Sequence, residues 1–433
     1  MVIVRHQRAR IVIAASIIAA LSGCAAGSAG KANPPTPAPK PATAEVPAPA
    51  APASQSFEAW VRSFRTEALA AGIRPDIFDK AFKGIAPNPD VMALNENQPE
   101  FVKPIWDYLD SAVSAKRVGD GEENFAANRA ALMTAAKRSG VPPEIIVAIW
   151  GLESSYGRIM GDFNVIEALA TLAYSGPRTD YGRAQLLAAL KILNEGDIAP
   201  SRMLGSWAGA VGHTQFAPTS YLTFAVDGDG DGLRNLWDSL PDVFASTGHY
   251  LAQNGWAPNE PWGFEVTLPK GFDYAAADAL ITKPVSEWVE LGVRRMGGGK
   301  LTVRGVHLGM EAAIIVPGGH KGPAFIVFRN FNAILRYNNA TSYALAVGLL
   351  SDAIAGRSTV IAPWPRGERP LTLAERTELQ QLLAQRGFEV GEVDGVLGKQ
   401  TRAAIRAYQQ TAGLVPDGFA TASLLARLRK TGS

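Results

Sequence analysis

The chain has 433 residues, which at about 150 residues per domain predicts two or three domains. Hydrophobic residues make up 47% and charged residues 19%, which excludes a disordered or collagen-like protein. Lys and Arg total 42 against 40 Asp and Glu, and a net charge of +2 gives no electrostatic case for a nucleic-acid partner. The single cysteine excludes an internal disulfide and a four-cysteine zinc site.

The N-terminus reads as a targeting segment. Arg5, Arg8 and Arg10 precede an apolar run over residues 11–21 that suits a signal-peptide core and is short for a membrane span. It ends in Leu21-Ser22-Gly23-Cys24, which resembles the lipobox of bacterial lipoproteins. That resemblance implies a signal peptide over 1–23 and acylation of Cys24. Ala25, rather than Asp, points to the periplasmic face of the outer membrane. The alternative is a plain signal peptide with an incidental cysteine. Residues 24–56 follow as an Ala/Pro-rich spacer with eight prolines between Pro34 and Pro52, unable to bury enough apolar area to fold.

Helical spacing begins at Phe57 and runs to Lys83, with Trp60, Phe64, Ala68 and Ala71 on one face. A second helical run covers 124–140 and ends in glycine. Pro142-Pro143 opens a third helix, where proline is tolerated in the first turn. Ile145, Ile146, Ala148, Ile149 and Leu152 make that helix apolar enough to be central. Alternation over 263–268, 301–306 and 312–316 predicts a small β-region inside a mainly helical body. Helical spacing returns over 333–355. A Pro/Gly-rich break over 358–370 predicts a linker.

Glu153 is the candidate catalytic residue. It sits near the end of the apolar third helix, in Gly151-Leu152-Glu153-Ser154-Ser155-Tyr156-Gly157-Arg158. Flanking glycines leave room for a large ligand. Desolvation and the negative end of the helix dipole both raise a carboxyl pKa there, as a general acid near neutral pH requires. The alternatives are a plain surface acid or an ion pair with Arg158.

The 151–161 segment resembles the catalytic-glutamate motif of the lytic murein transglycosylases, in the family of membrane-bound transglycosylase B. Ser206-Trp207-Ala208-Gly209-Ala210-Val211-Gly212-His213-Thr214-Gln215-Phe216 resembles that family's Gly/Gln motif. Arg336-Tyr337-Asn338, followed by Tyr343, resembles its late Tyr-Asn motif. The resemblance spans roughly 57–357. It implies an α+β, mainly α, lysozyme-like catalytic domain with a small β-region. It also implies that Glu153 is the sole acid and base. Ser206, Gln215, Tyr337, Asn338 and Tyr343 would line the glycan groove, with Tyr174 and Arg178 as weaker candidates. The expected reaction cleaves the β-1,4 bond between N-acetylmuramic acid and N-acetylglucosamine in peptidoglycan and closes a 1,6-anhydro ring. No cofactor is expected for catalysis. Retaining and inverting glycosidases usually need a second carboxylate, and none stands in the matched motifs. A hydrolytic muramidase and a non-catalytic peptidoglycan tether remain as alternatives.

Residues 227–238 fit the EF-hand loop template, with Asp227, Asp229 and Asp231 at the odd positions, Gly232 at six, the Leu233 carbonyl at seven, Asn235 at nine and Asp238 at twelve. Asp238 departs from the usual bidentate Glu, and Asp242 rivals it as last ligand. The resembled family carries such a loop here, which implies a structural Ca2+. A solvated turn without an ion is the alternative.

The 371–433 segment reads as a three-helix module opened by a Thr372/Glu375 capping box. Asp394-Gly395-x-x-Gly398-x-x-Thr401-x-x-Ala404, then Tyr408-Gln409, resembles the peptidoglycan-binding domain. The partners this implies are peptidoglycan glycan strands, with the outer membrane reached through the lipid anchor. Proteins of a cell-wall synthesis complex are partners that no motif names.

Overall fold

The structure, a computed structural model, describes residues 56–96, 103–357 and 360–430. The expectations for the signal peptide, Cys24 and the Ala/Pro spacer lie outside these residues. The architecture is α+β and mainly helical, as expected, and no described helix is long and apolar enough to cross a membrane.

Pro143–Ser154 forms the central helix. Pro142 caps it and Pro143 takes the first turn, where the missing amide costs nothing. Residues 145–152 are all buried, as the unbroken apolar run requires. Helices Ala115–Ala127, Arg129–Ser139, Leu240–Gln253 and Thr341–Ile354 surround it.

Three long helical runs prove to be pairs. The 57–83 run divides into Phe57–Ala70 and Pro75–Ala81 at the left-handed Gly72, leaving Ala71 exposed as a cap. The 124–140 run breaks at Asn128, which ends Ala115–Ala127 and starts Arg129–Ser139. The 333–355 run breaks into Arg329–Tyr337 and Thr341–Ile354, because Asn338 takes an extended conformation.

A five-stranded antiparallel sheet runs in the order Lys283–Pro284, Glu311–Ile315, Ala324–Val327, Gly263–Thr267, Arg294–Arg295. Gly263 pairs with Val327, and Ile315 with Phe325. Ala313, Ile315, Phe325 and Val327 face the helical core. Ala312, Ile314, Ala324 and Ile326 face a second core built on Trp288, Val293 and Phe328. The expected strand over 301–306 is absent. Leu301 and Val306 are buried, but turn bonds connect them, and left-handed Gly305 packs so close to Asn259 that a Cβ would meet its carbonyl oxygen at 2.2 Å.

The C-terminal module contains helices Leu373–Ala384, Lys399–Thr411 and Ala422–Lys430 around Leu379, Leu383, Ile405, Leu425 and Leu428. Its expected capping box is present, with Thr372 and Glu375 bonding reciprocally. The segment leading into it is fixed to the body. Buried Glu265 accepts the Ile361 and Ala362 amides at 2.7 and 2.8 Å. Arg366 forks onto Asp110 at 2.6 and 2.9 Å, and Trp364 packs on Trp106. On the module itself, Asp417 Oδ2 accepts the His320 amide at 2.9 Å and lies 2.6 Å from His320 Nδ1.

Candidate active site

The central helix ends on an abrupt turn. Ser155, Tyr156 and Gly157 all take positive φ, at 51°, 61° and 82°. A bulky residue such as Tyr156 is held there only by its surroundings. Its hydroxyl donates to Arg117 O at 2.7 Å, and its ring lies across Gly151, where a Cβ would approach within 2.5 Å. Buried Ser154 accepts the Gly157 amide at 2.9 Å. The turn fixes the direction in which Glu153 leaves the helix.

Glu153 is half-buried beside a wall of tyrosines. The Tyr343 hydroxyl donates to Glu153 Oε1 at 2.6 Å. Burial pushes the Glu153 carboxyl up to about 7, opposed by the Tyr343 hydrogen bond, which favours the anion. Among the described residues, no charged side chain contributes to this shift. The pairing with Arg158 considered from sequence does not form, because Arg158 pairs with Asp120.

Tyr337 stacks on Tyr343, with ring centroids 6.4 Å apart and planes 8° apart. Its hydroxyl donates to Thr214 O. Burial first, and then the negative charge of Glu153, hold the Tyr337 and Tyr343 hydroxyls well above the usual phenol range. Both therefore act as donors. The break at Asn338 permits this arrangement, since a continuous helix could not present Tyr337 and Tyr343 with stacked rings. Asn338 Oδ1 and Thr214 Oγ1 are buried and have no hydrogen-bond partner among the described residues.

Gln215 sits at φ 51° and donates through Nε2 to Met160 O and Gly212 O, both at 2.9 Å. It thus stitches the 206–216 loop to the segment after Glu153. Ser206 Oγ accepts the Ala210 amide at 2.9 Å and closes the tight 206–210 turn. Arg178 lies 5.5 Å over the Trp207 ring beside that turn. Tyr174 packs edge-on against Phe57 at 5.2 Å, in an aromatic cluster with Trp60. The structure therefore brings Glu153, Tyr343, Tyr337, Thr214 and Gln215 into one connected group. Ser206, Arg178 and Tyr174 engage neighbours of their own.

Two tyrosines went unnoticed in the sequence. Tyr108, from helix Ile105–Ala112, has its hydroxyl pushed up to about 12 by burial and then by the charge of Glu153. Tyr250 packs 4.8 Å from the Tyr337 ring and donates to Arg336 O at 2.6 Å. Neither lies in a motif, so only tertiary packing reveals them.

In the acidic loop, carboxylate oxygens of Asp227, Asp229 and Asp242 lie within 4.8 Å of one another. Asp227 accepts the Gly230 and Gly232 amides at 2.6 and 2.9 Å, which hold it below the usual carboxylate range. Asp242 is fully buried and accepts the Gly228 and Asn235 amides, both at 2.7 Å. Burial nevertheless pushes it up. Asp231 caps the Leu233 amide at 2.8 Å. Asp238 turns away and pairs with Arg202 at 2.6 Å, so Asp242, not Asp238, completes the converging set. Three hard carboxylate donors at this spacing suit Ca2+.

The transglycosylase SLT domain family matches residues 56–352, and the peptidoglycan binding domain family matches 372–428. The chain is 34% identical to Escherichia coli membrane-bound lytic murein transglycosylase B over 229 residues, covering 50% of this chain and 58% of that relative's length. Its structure resembles SltB3 from Pseudomonas aeruginosa, solved in complex with NAG-anhNAM-pentapeptide. The TM-score is 0.84 at 50% identity, over 87% of this chain and 100% of that one. It also resembles the Escherichia coli lytic transglycosylase Slt35 in complex with calcium, with a TM-score of 0.59 at 28% identity, over 68% of this chain and 92% of that one. The chain belongs to the transglycosylase SLT domain family.

Proposed function

We propose that the protein is a peptidoglycan lytic transglycosylase in which Glu153 supplies both proton transfers. The observation that carries this reading is a half-buried carboxyl with its pKa raised to about 7, set among tyrosine donors and shifted by no other acid among the described residues. Protonated Glu153 donates to the oxygen between N-acetylmuramic acid and N-acetylglucosamine, and the C1–O bond breaks. The substrate's acetamido group stabilises the developing cation. Glu153, now anionic and steadied by Tyr343, takes the proton from the C6 hydroxyl as O6 bonds to C1. Water is neither consumed nor activated, and the intramolecular attack carries a high effective molarity. An amide N–H of the glycan suits the unpaired Asn338 Oδ1.

Asp227, Asp229 and Asp242 would hold a calcium ion. Bound there, it would cross-link the loop and take no part in the chemistry. The module at 371–433 would hold the enzyme on the wall, while the body at 57–357 performs the cleavage. Acylated Cys24 would anchor the chain at the periplasmic face of the outer membrane. The curated relative's name, membrane-bound, supports this anchoring.

The test is digestion of purified sacculi by wild type and Glu153→Gln, with products read by mass spectrometry. Anhydromuramic ends from the wild type are expected, with release slowed about 10²–10⁴-fold in the variant. Reducing muramic ends would instead indicate a hydrolase. An active Glu153→Gln would remove the acid from its role.

A further inference from the structure

His213 belongs to none of the groups used so far, yet it touches both the turn after Glu153 and the end of the acidic loop. Its Nδ1 accepts the indole N–H of Trp150, three residues before Glu153, at 2.9 Å. Trp150 is 2% exposed, so that N–H has no access to water. Because Nδ1 accepts, the neutral ring carries its proton on Nε2. The imidazole also lies against Gly157, in the left-handed turn. A Cβ on Gly157 would fall 2.2 Å from His213 Cε1, so only glycine fits.

The other side of His213 meets the loop. Its amide donates to Leu236 O at 3.0 Å. The preceding Gly212 is packed so closely that a Cβ would lie 2.4 Å from the same oxygen. Leu236 follows Asn235, whose amide donates to Asp242 Oδ2 at 2.7 Å. An unbroken series of hydrogen bonds and backbone contacts thus runs from Asp242 through Asn235 and Leu236 to His213. From there it reaches Trp150 and Gly157, on either side of Glu153.

We propose that His213 is a positioning residue that couples the acidic loop to Glu153, so that a cation held by Asp227, Asp229 and Asp242 fixes the exit geometry of the acid. This rests on Glu153 as the acid and on calcium in the loop. His213 touches no substrate and moves no proton. A carboxyl displaced by an ångström loses alignment with the glycosidic oxygen without losing the glycan, so turnover suffers and affinity does not.

The test compares the full chain with His213→Leu, His213→Asn and Trp150→Phe. Asparagine can place an acceptor near the position of Nδ1, whereas leucine cannot. Sacculus digestion gives kcat and KM, and calorimetric titration of calcium chloride into chelator-stripped protein gives the affinity of the loop. His213→Leu is expected to lower kcat roughly ten- to a hundredfold with KM nearly unchanged, and to weaken calcium binding. His213→Asn is expected to restore most of both. Trp150→Phe keeps the core filled, and it lowers kcat in the same direction should His213→Leu fail to fold. Wild-type kcat in the folded variants overturns the proposal. So does a kcat loss with unchanged calcium affinity, or failure of asparagine to rescue, since either reduces His213 to local packing. No calcium binding by the wild type overturns the coupling and the ion assignment together. An active Glu153→Gln removes the acid assignment, independently of the calcium result.

Discussion

The Glu153 site and the Asp227–Asp242 loop both set carboxylates into the same helical body, and they treat them in opposite ways. Glu153 receives one hydroxyl hydrogen bond and no backbone amide, and burial raises its pKa to about 7. Asp227 receives two close amides in an exposed loop and stays below the usual range. Asp242 combines the two conditions, with two amides and full burial, and burial prevails. The number of amides offered and the water withdrawn decide which carboxyl keeps its proton. A proton-transfer group needs the first environment. A cation ligand needs a negative charge that amides already orient.

The sharpest way to break this contrast is Asp242→Ala. It strands the Gly228 and Asn235 amides and should cost about 2–4 kcal/mol. It should also abolish any rise in melting temperature on adding calcium. Asp238→Ala, which removes an exposed partner of Arg202 and a 3.3 Å acceptor for the Asn235 side chain but no member of the converging set, should keep the calcium response. Thermal melts with calcium and with chelator check both, and a calcium response surviving in Asp242→Ala would return Asp238 to the ligand set.

The next effect is on stability at the Glu153 site. Its pKa is near 7 when folded against 4.5 for the unfolded group, so the folded state binds more protons between those values. Stability therefore falls as pH rises through that window. Glu153→Gln removes the penalty and should gain roughly 1–3 kcal/mol at pH 8, with little change at pH 4. Denaturant melts at both pH values check this, and equal effects at both would show that the acid is not desolvated. The smallest effect is expected for Tyr343→Phe. It deletes the hydrogen bond that favours the anion, so the alkaline limb of kcat/KM should move to higher pH while turnover falls a few-fold. A limb moving to lower pH would reverse the role given to Tyr343.

Local signals made the central helix legible in the sequence and drew the eye to Glu153 near its end. Proline opened the helix, an apolar run demanded burial, and Gly and Ser marked its end. Strand Ala324–Val327 gave no alternating signal because it is covered on both faces, with Phe325 and Val327 on one core and Ala324 and Ile326 on the other. Alternation over 301–306 suggested a strand, but two buried anchors across a turn produce the same pattern. Counting twelve positions in the acidic loop ends on Asp238 and leaves Asp242 as its rival. Ser239 caps helix Leu240–Gln253, and the chain direction changes there, which carries Asp242 inward on the first helical turn. Tyr108 feels the charge of Glu153 from a helix some 45 positions earlier, a coupling that no local pattern encodes.

The fastening of residues 361–366 has a further consequence. A module on a loose tether merely raises the local supply of whatever it grips, over a volume set by tether length. Here Glu265, Asp110 and Trp106 hold the approach, and His320 meets Asp417, so the two parts form a bracket. With the module gripping glycan as proposed, such a bracket would select register: strands held at the right offset would be presented to Glu153, and those held elsewhere would gain nothing.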